Sequence, residues 1–206
     1  MINFLDSIND PRVGYYYAPS GAGSIGGETL GNNDFNQSSN TSVFGPSLLQ
    51  SPSQAGVIML AATSLFMQAE AVQRGLMSGN AAALYKQGVE ASFNFLGVTN
   101  AVGAADSYMA GSTNGMVNFA SSTNPLQTIL YQKWIAECAL DGLEAYCDYR
   151  RTGYPFIAQP SQGAPGLAVP QRLLYPETEY TQNSANVNSQ NQAPADIYTP
   201  IFWAQP

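Results

Sequence analysis

Aromatic and amide side chains gather in the first 45 residues. Tyr15, Tyr16 and Tyr17 are consecutive, and Phe35 and Phe44 punctuate a polar stretch that also holds Asn32, Asn33 and Asp34. Residues 13–17 read as a short strand or extended segment, so successive rings alternate in direction and at least one faces outward. Aromatic rings lie flat on the apolar faces of sugars, while amides and carboxylates bind hydroxyls. A concave wall of rings with a few polar groups is the general form of a ligand pocket. Tyr15, Tyr16, Tyr17, Phe35 and Phe44 are the candidate stacking residues, and Asn32, Asn33 and Asp34 the candidate hydroxyl partners. The competing reading has the same rings pinning the loop to the helices, because aromatic side chains dominate core energetics too.

Other chemistries find little support. The chain has no histidine, which removes histidine-based triads, general acid–base pairs and metal ligands together. Glu177 and Glu179, or Asp141 and Glu144, could be taken for a glycosidase pair, but such enzymes need two carboxyls at defined separations across a sugar. Glu177 and Glu179 stand near Arg172, and Asp148 near Arg150 and Arg151, which reads as structural ion pairing. Asn32, Asp34 and Asn36 match the opening of a calcium loop, yet the sixth position is Gln37 and the twelfth is Val43, so the motif fails. The glycine-rich GAGSIGG does not lead into a helix with a phosphate-binding lysine. Neither a metal nor a cofactor is expected, and Cys138 and Cys147 have no base to activate them.

A charge of −7, with only seven Lys and Arg, argues against a nucleic-acid surface. No apolar run is long enough to span a bilayer. The first residues, MINFLDSIND, lack the basic and apolar regions of an export signal; either the chain is cytoplasmic or its true N-terminus lies elsewhere.

The elements that must position these residues are mostly helices. A long Gly/Ser/Asn loop covers 18–50, of a length that is usually functional or disordered. Ser51-Pro52-Ser53-Gln54 reads as a capping box, predicting a helix to about Met77. A turn at Ser78-Gly79-Asn80 leads to a second helix from Ala81 to Leu96, closed by Gly97. Within 98–123 only Asp106 to Met109 suggests a helical turn. Asn124 is an N-cap before Pro125, predicting one long amphipathic helix over 124–152. Cys138 and Cys147 then lie about 13 Å apart along it, on opposite faces, as buried free thiols. Prolines 155, 160, 165 and 170 make 153–206 an irregular tail. The expectation is a mainly α chain with long irregular loops and one region over 1–206, divided as 1–50 loop, 51–98 helical hairpin, 124–152 long helix and 153–206 tail. One hairpin and one further helix cannot cover each other's apolar faces as a helical-repeat array does, so loops, a partner or a further segment must cover them.

Several stretches, in order, resemble one family. DPRVGYYYAP before a Gly-rich loop, LFMQAEAVQRG with AAALYKQGVEASFNFLG, then DSYMA, YQKWIA, EAYCDYRRTGYP, PQRLLYPETEY and a late Ile201-Phe202-Trp203 are similar to the C-terminal half of SusD/RagB outer-membrane nutrient-binding lipoproteins. The resemblance implies a tetratricopeptide-like helical framework and non-catalytic capture of an oligosaccharide at the bacterial surface. It implies delivery to a SusC-like TonB-dependent transporter, over which the protein acts as a hinged lid, and a lipid anchor outside this stretch. It also leaves open a lid subunit with no ligand site in this half, or capture of peptides. Arg150, Arg151 and Arg172 are then implied to hold loops to helices.

Overall fold

The computed structural model describes residues 1–29, 39–156, 168–189 and 197–204. The chain divides into two compact units, Met1–Glu28 with Asn33–Tyr146, and Thr29–Asn32 with Cys147–Pro206.

The first unit is helical. It opens with α1 (Ile2–Ser7) and a single helical turn, α2 (Val13–Tyr16). The expected strand over 13–17 is thus mostly helical, and only Tyr17–Ala18 extends as β1, antiparallel to β2 (Val43–Phe44). The helical hairpin follows as α3 (Ala61–Gln73) and α4 (Ala81–Phe95). Asn80 caps α4 by accepting from the Ala83 N–H at 3.0 Å, and Gly97 follows the helix at φ 72°, as expected. The start of α3 was not where the capping box predicts. Ser51 to Gln54 form an isolated turn, closed by the Gln54 N–H on the Ser51 carbonyl. Val57, Ile58 and Met59 stay exposed, and helices of this length owe their stability mainly to a buried face. The helix starts where burial starts, beside Leu60 and Ala62.

Residues 101–111 form a full helix, α5 (Ala101–Gly111), rather than a turn. A 3₁₀ turn at Phe119–Ser121 precedes α6 (Pro125–Ala136), which Asn124 caps through the Gln127 N–H at 3.2 Å. The long helix expected over 124–152 is two helices. α6 ends at Ala136, Ala139 is left-handed at φ 61°, and α7 runs Gly142–Thr152. Asp141 accepts from the Glu144 N–H at 3.1 Å and restarts the helix. The break has a burial cause. α6 is enclosed on nearly every side, even at Gln132 and Lys133, whereas Leu143 of α7 is exposed. The buried Lys133 ammonium crosses the break, reaching Glu144 at 2.7 Å and Glu137 at 3.7 Å. Cys138 is therefore buried in the break and Cys147 half-buried on α7, both free.

The core lies between α3, α4 and α6, around Phe66, Val89, Phe93, Ile129 and Ile135. α3 and α4 cross closely because Gly88 has no side chain: a Cβ there would meet the fully buried Phe66 ring at 2.8 Å. Gly88→Ala gains about 1 kcal/mol in helix propensity but overpacks a ring that cannot retreat, at a cost of about 1–3 kcal/mol. A lowered urea midpoint is expected. In a Phe66→Leu background the same change should lose its penalty; an equal loss there would show that the ring is not the obstacle.

In the second unit, α8 (Glu177–Gln182) and α9 (Ser184–Ser189) follow the described part of the proline-rich stretch. Arg151 pairs with Asp148 at 2.7 Å, and the Arg150 guanidinium lies over the Trp203 ring at 4.8 Å. The Arg172 N–H donates to the Ile197 carbonyl at 3.2 Å.

Candidate functional site

The β1–β2 ribbon is the base from which the long polar loop springs. Tyr17 stands opposite Phe44 and Ala18 opposite Val43, so each pair shares a face. Gly45 makes the register possible. Its N–H donates to the Tyr16 carbonyl at 2.7 Å, and any Cβ there would collide with the Tyr15 carbonyl. Beyond the ribbon the two arms of the loop are stitched together. Ser42 N–H donates to Gly26 O at 2.8 Å, Gly26 N–H to Ser42 Oγ at 3.0 Å, and Thr41 Oγ1 to Glu28 Oε1 at 3.0 Å. Ser47 ties the outgoing arm to the end of α4 by donating to the Leu96 carbonyl at 2.5 Å.

The candidate residues separate by burial. Phe44 is 54% exposed, beside an exposed Val43. Tyr15 and Tyr17 are half-buried, packed on the core along one side. Tyr16 is a correction to the sequence reading. It has no exposed surface, and its hydroxyl donates to the Ile135 carbonyl at 2.6 Å. A helical turn at 13–16 does not alternate its side chains as a strand does, so the middle tyrosine falls into the core. It is a pin and offers no ring face to a ligand. Burial, opposed by the nearby Arg12 charge, holds its phenol proton well above the ordinary range. Tyr17 behaves likewise, for burial first and then its contact with Cys138. Asn32, Asn33, Asp34 and Phe35 lie outside the described residues.

Around Asp10 and Arg12, which flank Pro11 just before α2, sits a buried polar cluster that the sequence reading did not pick out. Arg12 is wholly buried. Its Nε and Nη2 donate to the two Asp10 carboxylate oxygens at 2.9 and 2.6 Å, Nη1 to Ser92 Oγ at 2.9 Å, and Nη2 also to Gln132 Oε1 at 2.6 Å. The guanidinium lies over Phe93 and Tyr108, 5.0 and 5.7 Å from the ring centres. Tyr108 donates to Asp10 Oδ2 at 2.8 Å. This cluster joins the segment that carries Tyr15–Tyr17 to α4, α5 and α6. With each guanidinium nitrogen donating to a protein partner, the cluster is a clamp. The signal in the sequence was two opposite charges flanking Pro11 in a chain where only 10% of residues are charged.

A separate groove of about 480 Å³ lies between α4, α5 and the 3₁₀ turn, floored by Tyr85, Met109 and Phe119. Lys86 at its rim pairs with Asp106 and with Glu90. None of the sequence candidates lines it. Among the described residues no cluster of three or more His, Cys, Asp or Glu could hold a metal, and no helix is long and apolar enough to cross a membrane.

Residues 1–176 match the SusD-like family described as starch-binding and associating with the outer membrane. Among solved structures, a SusD homologue from Bacteroides fragilis is 25% identical, with a TM-score of 0.72 over 92% of this chain and 46% of its own. A chitin-binding protein is 27% identical, with a TM-score of 0.70 over 100% of this chain and 49% of its own. A second B. fragilis SusD homologue, 22% identical, shares the fold with a TM-score of 0.77 over 99% of this chain and 51% of its own. The chain spans about half the length of these structures. No curated protein matches.

Proposed function

Because the chain belongs to the SusD-like family of starch-binding, outer-membrane-associated proteins, we propose that it captures an oligosaccharide at the bacterial surface, without turnover, and passes it to a TonB-dependent transporter. The family match along 1–176 carries this reading. The ribbon supports it by placing an exposed aromatic, Phe44, opposite Tyr17 at the root of a loop rich in Gly, Ser and Asn. Phe44, Tyr17 and Tyr15 form the stacking wall in this proposal. Asn32, Asn33 and Asp34 supply hydroxyl partners, and Phe35 a further ring. Capture rather than hydrolysis is favoured by carboxylates engaged in ion pairs, such as Asp10 with Arg12, Glu144 with Lys133 and Asp148 with Arg151.

Calorimetric titration with maltoheptaose and with chitohexaose tests the binding. Phe44→Ala should weaken the better ligand by about tenfold, the size expected for losing one aromatic face. Phe44 is exposed, so the variant should keep its fold. The packing of Tyr15 and Tyr17 on the core favours a second reading, a lid subunit with no ligand site in this half. Absence of binding by either sugar would support it, and retained affinity in Phe44→Ala would move the site off the ribbon. Purification from detergent-solubilised outer membrane tests the partner: an equimolar TonB-dependent barrel is expected, and its absence would remove the transport step.

A further inference from the structure

Tyr16 and Tyr17, at the start of the ribbon, are both held at the C-terminal end of α6. Tyr16 donates to the carbonyl of Ile135 at 2.6 Å and reaches that of Ala136 at 3.4 Å. Its neighbour Tyr17 pairs its hydroxyl with the Cys138 thiol at 3.4 Å. The last carbonyls of a helix lack intrahelical partners, so this end is a natural receptor for hydroxyl donors. Ala139 follows in the left-handed region, a conformation that a non-glycine residue keeps only where the surroundings impose it. Cys138 is buried in the core and forms no disulfide.

Tyr17 therefore has three determinants of its ring plane. Its backbone is paired in the ribbon, its ring packs on the core, and its hydroxyl is held by sulfur. Only the last fixes the far end of the side chain. Phe44, its partner in register, has no such tether and shares its face. We propose that Cys138 is a positioning residue for the ligand ribbon: its thiol fixes the tilt of Tyr17 and so sets the plane that Tyr17 and Phe44 present to a sugar ring. This rests on the glycan-capture reading above. It gives a role to a thiol that no catalytic scheme uses.

The test uses the whole chain with four variants, Tyr17→Phe, Cys138→Ala, Cys138→Ser and the double Tyr17→Phe/Cys138→Ala. Maltoheptaose and chitohexaose are the ligands. Tyr17→Phe and Cys138→Ala should each weaken the better ligand by about three- to tenfold, the worth of one neutral hydrogen bond. The double variant should be no weaker than the weaker single, because both remove the same contact. Cys138→Ser, which keeps a hydroxyl partner, should stay within about twofold. Full affinity in Cys138→Ala with a loss in Tyr17→Phe would place the phenol directly on the ligand and overturn the proposal. Equal losses in Cys138→Ser and Cys138→Ala would overturn it too, leaving the sulfur as mere filler. Hydrogen exchange at the Gly45 amide, bonded to the Tyr16 carbonyl, gives a readout that needs no sugar. It should quicken in Cys138→Ala and Tyr17→Phe and not in Cys138→Ser. If neither sugar binds the unaltered protein, the glycan reading fails, while unchanged Gly45 exchange in both variants separately overturns the tether.

Discussion

Asp10→Ala should cost about 3–5 kcal/mol, the range for breaking a buried ion pair on one side. Asp10 and Arg12 have no exposed side-chain surface. Asp10 accepts from the Arg12 Nε, Nη2 and backbone N–H and from the Tyr108 hydroxyl. Without it the guanidinium keeps Ser92 and Gln132 but no counter-charge. Burial opposes that charge, and Asp10, with smaller help from Tyr16 and Tyr108, outweighs burial, raising the Arg12 pKa above its ordinary value. The loss rivals a large part of the stability of an ordinary domain. Urea unfolding followed by far-ultraviolet circular dichroism measures it. The double variant Asp10→Leu/Arg12→Met should be less damaging than Asp10→Ala, because it buries no uncompensated charge. A single-variant loss below about 1 kcal/mol, the level of an exposed pair, would mean that water reaches the cluster. The consequence for function follows from position. Arg12 immediately precedes α2, so loosening the clamp should also weaken sugar binding at a ribbon it never touches.

A steep fall in stability above about pH 10 is the second large effect. Tyr16, Tyr85 and Tyr108 are buried, and burial raises each phenol well above its ordinary range. In the unfolded chain these groups lose their protons near pH 10. The folded chain holds them to higher pH, so unfolding releases protons there and stability declines as pH rises. Below about pH 10 both states are protonated and the contribution is complete. Each tyrosine supplies a limiting slope of about 1.4 kcal/mol per pH unit, so three together give about 4. The absence of histidine leaves the neutral range nearly flat by comparison. Urea midpoints across the alkaline range, with tyrosinate absorbance recorded in parallel, measure this. If every tyrosine ionised near pH 10 while the chain stayed folded, the buried phenols would have to be reached by solvent, and the slope would vanish.

The features readable from residue order are those whose cause lies within a few neighbours. Asn80 and Asn124 announce helix starts because a cap needs only its own side chain and an N–H three residues on. Gly97 closes α4 for a similarly local reason. The family was also legible, since ordered short motifs such as DPRVGYYYAP and EAYCDYRRTGYP record the outcome of the whole fold without requiring it to be derived. The helical character of the chain and its long loops followed from the same kind of signal.

Burial was not legible, and burial separates the candidate residues of the ribbon. Tyr15, Tyr16 and Tyr17 are chemically alike, yet one is a core pin and two keep partial exposure. Their fate depends on residues about 120 positions away, Ile135 and Cys138. Arg12 likewise meets Ser92 and Gln132 across 80 and 120 residues. The break after Ala136 arises because α6 is enclosed and α7 is not. The capping box at Ser51 fails because nothing covers Val57, Ile58 and Met59. Caps, turns and motifs are short-range properties of the chain and were present in its order. Which ring is hidden and which is offered to a ligand, and which charge is clamped, depend on contacts between distant segments, whose energies exist only once those segments have met.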